Sequence, residues 1–522
     1  MRKSLLLILI FVLAQSCDLL DFCRKAGEVV DVTGDALHGM IVLGDKLEDP
    51  YTVENMSKAL ASVYPTKGRV LVNPTDLYVR FLPKSDEEFE KLERLGVQML
   101  DHPVDYQIVR EGDYYHDPSI ADEDITWQYA VVKKDFVFPS GIKYELLDEC
   151  YLPDNDASTK ADGLDWDEIE REAYRLTGNE DMLAMTKGDA VSAKPEGRIT
   201  IIDDLKGETP YGVKGVRVSC NSFVKFANAY TDEEGYYKMS KTFSSDVRYR
   251  LVFKNMKGFS IGFNLLLVPA SCSSLGKSGP EGVNAQIDKY SEDKLFTRSV
   301  VNNAGYDYYE SCVTESERMR TPPTNLRIWL FRGLSTSSAP MLQQGAVVDA
   351  SKMARYLGKF TSLLKMFLPD VTLGLKGAED FCTIYSTTVH ELAHASHFMQ
   401  VGKEYWDKYI EFIITSFITS GFTTYGVGTE ENHGYCEVGE MWAYYLENVF
   451  YRERYNEEFL SGTTYWFYPQ IMMYMDERGI GRYKIFNALT ADITDRDLLQ
   501  KRLVSLYPEC KSMINQAFSR YR

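Results

Sequence analysis

Histidine and glutamate are concentrated in "TTVHELAHASHFMQ" at residues 387–400, a stretch that holds three of the chain's seven histidines. His390 and His394 are four residues apart, so on a helix both imidazoles would lie on one face, about one 5.4 Å turn apart. Two neutral imidazoles in that arrangement can bind one zinc ion. Glu391 follows the first histidine and could act as general base toward a metal-activated water. The pattern predicts a catalytic zinc helix.

A catalytic zinc site needs a third protein ligand and an open fourth position. His397 is seven residues from His390, about 10.5 Å along the same axis, so three ligands on one helix cannot easily converge on one ion. His397 is therefore expected to be a packing or site-rim residue. The other candidates are Glu437 and Glu440, in the predicted helix "GYCEVGEMWAYYLENVFY" at 434–451.

Two motifs, "VHELAH" and "GEMWAYYLE", resemble those of the gluzincin metallopeptidases, and the second resembles the "NEGFAxYxE"-like ligand helix of their aminopeptidase branch. The resemblance covers roughly residues 325–450. It implies that Glu440 is the third zinc ligand and that Ala443 lets two helices approach closely. Glu447 lies two turns further along the same helix face, and Gly439 stands where that branch has Asn.

The gluzincin resemblance also implies an edge strand beside the active-site cleft. The segment "NLRIWLFRG" at 325–333 is a strong predicted strand and fits that role. A substrate peptide could pair with such an edge as an additional strand. A further strand is predicted in "DVTLGL" at 370–375.

Peptide hydrolysis also requires a donor for the oxyanion of the tetrahedral intermediate. His433, just before the predicted ligand helix, is the first candidate for this catalytic role, and three tyrosines are alternatives: Tyr425, Tyr435 and Tyr468. The glycine-containing segment at 423–435 would be either a mobile lid over the cleft or simply an exposed loop.

The elements that must position these residues predict a multidomain α+β fold. A lead-in at 17–45 precedes a small α/β module at 46–155 and a polar helical linker at 156–196. A β-sandwich at 197–270 then precedes a zincin-like catalytic domain at 271–522. The charged run of the linker, "DWDEIEREAYRL", is expected to form a solvated helix face.

Within the α/β module, "TDLYVRFLP" at 75–83 predicts a strand. Ser85 and Glu88 have the spacing of a capping box, so a helix is expected to begin there and to stop at Gly96. The segment "VDYQIV" at 104–109 predicts a returning strand.

The sandwich region consists of short β-rich runs separated by turns. It resembles the carboxypeptidase regulatory-like family through "GVKGVRVSC" at 212–220, "AYTDEEGYY" at 229–237 and "YRLVFKN" at 249–255. The resemblance covers about sixty residues and implies an accessory β-sandwich without catalytic residues.

The N-terminus has the pattern of an export signal. Arg2 and Lys3 precede an apolar run, and residues 1–16 are predicted to be a signal peptide. The ending "LAQSC" resembles a bacterial lipobox, which implies cleavage before Cys17 and a lipid on that cysteine. The protein is therefore expected in the bacterial cell envelope, anchored to a membrane, with the outer membrane favoured.

The formal net charge of −18 argues against nucleic acid as a partner, because a phosphate backbone is bound through basic patches. Nine cysteines are widely spaced without a CxxC pair, so a cysteine-based zinc site is not expected. The partners that remain are a peptide or protein substrate and the membrane.

These observations favour a lipid-anchored zinc metallopeptidase. The main alternative is a non-catalytic binding or scaffold lipoprotein on a degenerate zincin fold, in which the histidines are structural. A third possibility is a self-processing enzyme whose module at 24–155 masks the cleft.

Overall fold

The computed structural model describes residues 40–521 except for 68–70, 113, 122–123, 156–162, 187–188, 191, 264–270, 332–335, 347–368 and 420–424. The predicted signal peptide, the lipidation site Cys17 and most of the lead-in lie outside the described residues. Between them, the described residues form eleven α-helices and several β-sheets, so the fold is mixed and consistent with a multidomain α+β protein.

The N-terminal region contains eight named elements: β1 (Val42–Lys46), α1 (Val53–Val63), β2 (Asp76–Leu82), α2 (Asp86–Arg94), β3 (Tyr106–Arg110), β4 (Gln128–Lys133), β5 (Lys143–Cys150) and α3 (Trp166–Leu176). Strand β2 pairs antiparallel with both β4 and β5. The expected strand and helix are confirmed: the Ser85 hydroxyl accepts the Glu88 N–H at 3.3 Å, and Gly96 has a φ of 79°. The predicted returning strand at 104–109 forms as β3, but it pairs with β1 in a separate sheet.

Helix α3 is packed into the molecule rather than solvated along its charged run. Ile169, Ala173 and Tyr174 are buried with residues of the N-terminal module. Glu170 is buried as well, and its carboxylate accepts from the Lys225 ammonium at 2.7 Å. The expectation of a solvated face was therefore wrong at Glu170, because a charge on the packed side of a helix can be buried when it is paired.

The middle of the chain contains the elements β6 (Met185–Thr186), β7 (Asp189–Ala190), β8 (Glu196–Ile202), β9 (Pro210–Gly212), β10 (Val216–Ser222), β11 (Lys225–Tyr230), β12 (Tyr236–Lys238), β13 (Val247–Asn255), β14 (Ser260–Phe263), β15 (Cys272–Ser278), β16 (Ala285–Ile287), α4 (Asp293–Ser311), β17 (Arg327–Phe331) and β18 (Val371–Gly374). One sheet has the order β12-β8-β16, with β9 on β8. The larger sheet has the order β11-β10-β13-β14-β17-β18, with β15 on β13.

The larger sheet continues across the expected junction between sandwich and catalytic region. Strand β15 pairs with β13, and β17 pairs in parallel with β14. The predicted boundary between the β-sandwich and the catalytic domain, at residues 270 and 271, stays a prediction. The larger sheet includes strands from both sides of it.

The expectation that 325–333 forms an edge strand was wrong, because β17 lies between β14 and β18. Both of its hydrogen-bonding edges are therefore occupied. Strand β18 is the terminal strand, and its Thr372 exchanges backbone hydrogen bonds with Ser338 at 2.8 and 2.9 Å. A substrate strand could not pair with β17 in this arrangement.

The C-terminal region is helical: α5 (Phe381–Val401), α6 (Lys403–Thr419), α7 (His433–Tyr455), α8 (Gln470–Asp476), α9 (Arg482–Ala488), α10 (Arg496–Leu506) and α11 (Lys511–Arg520). Helix α5 packs against α4, α6, α7 and β18. One apolar core runs from the sandwich strands through these helices. Helix α5 is thus enclosed by protein. This explains why the residues beside His390 and His394 on the helix, such as Val389, Leu392 and Ala393, are apolar or small.

In the part of the chain that the structure describes, every helix is too short or too polar to traverse a lipid bilayer. The seven described cysteines are free thiols.

Asp49 gives the N-terminal module a pH-dependent stability. Its Oδ1 accepts the Tyr51 N–H at 2.8 Å, whereas its buried Oδ2 makes no hydrogen bond. Burial raises the pKa of Asp49 to about 8, above its ordinary value of 3.8. A raised carboxyl pKa favours folding at low pH, and this contribution is lost as pH rises from about 4 through about 8.

We expect Asp49→Asn to remove this loss, since the amide cannot ionise. Relative to the parent, the variant should gain up to about 1.4 kcal/mol of unfolding free energy per pH unit across that window. Urea unfolding of both chains at several pH values measures the difference. A difference that does not change with pH would contradict the assignment.

Candidate metal centre

Helix α5 holds His390, Glu391 and His394 in a buried position. Asp380 caps its N-terminus, and Gly402, with a φ of 82°, ends it. All three side chains are buried, at 7%, 4% and 2% exposure. The two imidazole centroids are 4.9 Å apart, as expected for residues one turn apart on one helix face.

Helix α7 brings Glu440 to the two imidazoles. Its Oε2 lies 3.5 Å from His390 Nε2, and its Oε1 lies 3.4 Å from His394 Nε2. One ligand atom from each residue lies within 4.8 Å of the others, and all three residues are buried. This His/His/Glu group could hold a metal ion. Ala443, buried on the same helix, is compatible with the expected close approach of α5 and α7.

Two further side chains hold the ligands in place. Glu447 Oε2 lies 3.0 Å from His390 Nδ1, so that nitrogen is expected to carry the proton and to donate it to the carboxylate. When the ring is neutral, Nε2 would then carry the lone pair that a metal ion needs. The Tyr409 hydroxyl donates to Glu440 Oε1 at 2.5 Å. Such outer contacts fix the orientation of metal ligands.

Opposing electrostatic effects act on the group. Burial opposes a charge on His390, but the nearby carboxylates of Glu440 and Glu447 outweigh it and raise the pKa well above the ordinary value. Burial also opposes ionisation of Glu440, yet the neighbouring histidines lower its pKa. Burial lowers the pKa of His394, which leaves that imidazole neutral. An ionised carboxylate and a neutral imidazole are the forms in which these residues bind metals, so a metal would have to displace the proton of His390.

Glu391 has a buried carboxylate oxygen without a hydrogen-bond partner, Oε2. Burial raises the pKa of Glu391 to about 8, and His390 opposes that rise. An isolated buried carboxylate oxygen is costly and rare in folded proteins. The side chain thus has an unused acceptor next to the metal-ligand group.

The structure distinguishes Glu437 from Glu440, the two candidates for the third metal ligand. Glu437 binds Arg496 instead of the histidines: its Oε2 accepts the Arg496 N–H at 3.0 Å, and its Oε1 lies 3.2 Å from Nε. His397 is also outside the group. Its ring packs 5.3 Å from that of Tyr405 and 5.9 Å from that of Trp406, and burial lowers its pKa to about 3.

The candidate oxyanion donors lie at different places. His433 begins α7, seven residues and so about 10.5 Å along the axis from Glu440. Its Nδ1 contacts the Glu430 carbonyl oxygen at 2.8 Å. Tyr425 is half-buried, and its hydroxyl lies 3.3 Å from that of Tyr444. The pKa of Tyr425 is raised by burial and then by Glu440, which places this phenol near the carboxylate.

The remaining candidates, Tyr435 and Tyr468, are half-buried, as Tyr425 is. The Tyr435 ring packs 4.7 Å from Tyr405, and Arg496 lies 5.7 Å from the Tyr468 ring. In the described part of the predicted lid, the Tyr425 carbonyl accepts from the Trp466 indole at 3.0 Å. Whether the segment at 423–435 moves as a lid stays a prediction.

Sequence reasoning missed Tyr409 and Tyr444, which both contact the group. The Tyr444 ring lies 4.4 Å from that of His390. A Cβ on Gly439 would lie 3.4 Å from the Tyr409 ring, an ordinary van der Waals contact, so the position of Tyr409 does not require glycine there. Nothing in the spacing of α6 signalled Tyr409, because its role depends on the packing of α6 against α7.

We expect Glu447→Gln to weaken metal binding by roughly 10–100-fold, because the charge that supports His390 is removed. Competition with a chelator measures the change. Glu453→Gln on the same helix is the matched control, since Glu453 is exposed and pairs with Arg482. Equal affinities in the two variants would contradict the supporting role of Glu447.

Comparison with known proteins provides no family assignment. No family model and no curated protein matches the chain. A crystal structure of (S)-allantoin synthase is similar over 23% of this chain and 47% of that chain, at 13% identity and a TM-score of 0.13. The chain thus spans about half the length of that protein, and the likeness is too weak to support an inference about fold or function.

Proposed function

We propose that this protein is a lipid-anchored bacterial zinc metallopeptidase of the gluzincin type. His390, His394 and Glu440 would hold the zinc, and Glu391 would act as general base. The observation that carries this proposal is the convergence of three buried ligand residues beside the unpartnered carboxylate oxygen of Glu391.

The spacing of the ligand atoms fits zinc. Tetrahedral coordination with bonds of about 2.0–2.1 Å places ligand atoms roughly 3.3 Å apart. The distances from His390 and His394 to the nearest Glu440 oxygens are 3.5 and 3.4 Å. The Oε2 atom of Glu440 is buried without a hydrogen bond, which suits a ligand atom better than a structural carboxylate.

The chain's own residues would carry the proton transfers. When bound, zinc would polarise a peptide carbonyl and lower the pKa of water. Glu391 would accept a proton from the attacking water and later deliver it to the nitrogen of the leaving amine. Glu447 would keep His390 in one tautomer, and Tyr409 would fix the carboxylate of Glu440. His433 is the proposed oxyanion donor, with Tyr425 as the alternative.

The substrate is proposed to be a peptide or protein, since a carboxyl group that can exchange a proton beside a zinc group suits hydrolysis of an amide bond. The lipobox-like sequence ending at Cys17 supports attachment to a membrane of the bacterial envelope. The net charge of −18 supports the exclusion of nucleic acid.

Elemental analysis of the purified chain after exhaustive dialysis tests the proposal first. We expect one zinc per chain, followed by cleavage in a peptide-library screen. Absence of zinc after reconstitution would make the histidines structural. Bound zinc with saturable peptide association but no cleavage would favour the scaffold alternative.

A further inference from the structure

One face of the larger sheet is basic. Its arginines, Arg217, Arg248 and Arg250, lie on β10 and β13 and are more than a hundred residues before the candidate metal ligands in the chain. Ser219 on β10 pairs with Arg250 on β13, and Arg250 pairs with Ser274 on β15. Arg217 and Arg248 lie two residues from these positions on their own strands, so their side chains share this face. The alternate residues of the same strands lie in the apolar core.

The N-terminal module covers this face and leaves a cavity between the two. The Gln98 amide donates to the Ser219 hydroxyl at 2.9 Å, and Ser274 donates to Glu111 at 2.9 Å. Glu111 also binds Arg248. The cavity has a volume of about 90 Å³ and opens to solvent, and Arg217, Arg248 and Arg250 all line it.

Two of these guanidinium groups have unused donors. Arg250 is 6% exposed; its Nη2 donates to Asn221 at 2.9 Å, but its buried Nη1 makes no hydrogen bond. The buried Nε of Arg217 also has no partner. A buried, unpaired charge is costly, and a guanidinium offers a donor geometry that matches the oxygens of carboxylates and phosphates.

The acidic residues that line the cavity are bound to other groups. Asp101 Oδ1 contacts His102 at 2.8 Å, and Asp101 Oδ2 accepts the Tyr115 N–H at 2.6 Å. Glu93 accepts from Lys254 at 2.7 Å, and Glu111 is held by Arg248 and Ser274. No carboxylate in the described part of the chain pairs with Arg217 or Arg250.

Crowding of positive charge supports the same conclusion. Burial, together with the neighbouring Arg250, lowers the pKa of Arg248 to about 10. Burial also lowers the pKa of His102, which keeps that imidazole neutral. A bound anion would relieve the repulsion between the guanidinium groups.

We infer that this cavity is a binding site for a small oxyanion, a phosphate or carboxylate group held by Arg217 and Arg250. The site is separate from the proposed peptidase centre and does not depend on it. An anion bound there would connect the N-terminal module to the sheet, which gives that module a role in ligand binding.

Isothermal titration of the full chain after chelator treatment tests the inference. Sodium phosphate and sodium succinate are titrated separately, with sodium chloride of equal ionic strength as the blank. We expect one saturable site for at least one probe, with a Kd of about 1 mM or tighter. The probe that binds more tightly identifies phosphate or carboxylate as the preferred group.

Variants locate the site. Arg250→Gln should weaken binding by roughly 10–100-fold, because a charge-assisted hydrogen bond is lost. Arg198→Gln is the control, since Arg198 lies on the other sheet and pairs with Glu234. If Arg250→Gln loses its native circular-dichroism spectrum, the partly exposed Arg217→Gln replaces it. Absence of saturable binding by both probes, or parental affinity in Arg217→Gln, would overturn the inference.

Discussion

Glu391→Gln is expected to lower peptide hydrolysis by roughly 10²–10⁴-fold, the usual contribution of a positioned general base. Glutamine has the same shape but cannot accept the proton of the attacking water. Because Glu391 is not one of the three grouped ligand residues, the variant should still bind one zinc per chain. The rate of cleavage of one identified peptide and the zinc content, measured on the same sample, test both expectations.

The control for this variant is Glu437→Gln, which changes a buried glutamate that binds Arg496. It should keep both zinc and catalysis, with at most a loss of stability. Full activity of Glu391→Gln would show that another group accepts the proton, and the proposed mechanism would be wrong.

Glu440→Gln should weaken zinc binding by more than about 100-fold, the upper end of the cost of losing a supporting contact. The substitution removes the only carboxylate in the group of three ligand residues that the structure describes. It also leaves the Tyr409 hydroxyl without a charged acceptor. Chelator competition gives the affinity, and activity should fall with zinc content.

Glu437→Gln and His397→Leu are the matched controls for ligand identity. Glu437 is three residues before Glu440 on α7, and His397 is three residues after His394 on α5. Both should retain zinc, since neither belongs to the grouped ligands. Loss of zinc in Glu437→Gln with retention in Glu440→Gln would reverse the assignment of the third ligand.

Local features of the fold were predictable because they depend on near neighbours in the chain. Ser85 and Glu88 marked the start of α2, and the strand predicted at 75–83 formed as β2. The four-residue spacing of His390 and His394 could place them on one face only if the segment was helical. The resemblance at "GEMWAYYLE" then selected Glu440.

The pairing of distant elements was not predictable in the same way. The apolar run at 325–333 predicts a strand but cannot show which neighbours flank it, so the edge assignment of β17 was wrong. A charge run does not reveal which residue faces the core, and Glu170 is buried only because Lys225 lies opposite. The sequence also cannot show that Arg217 and Arg250 have unpaired donors, because these atoms are buried where the N-terminal module covers the sheet.

By itself, the sequence determined the types of the candidate ligand residues, the spacing of the two histidines on one helix and the local starts and stops of several elements. These depend on helix geometry and on contacts within a few residues. The tertiary structure alone decided that α7 meets α5 at Glu440, that Tyr409 and Glu447 support the ligands, and that Glu437 binds Arg496 instead. Each of these contacts joins side chains from separate elements or turns, so packing in three dimensions selects which polar atoms meet.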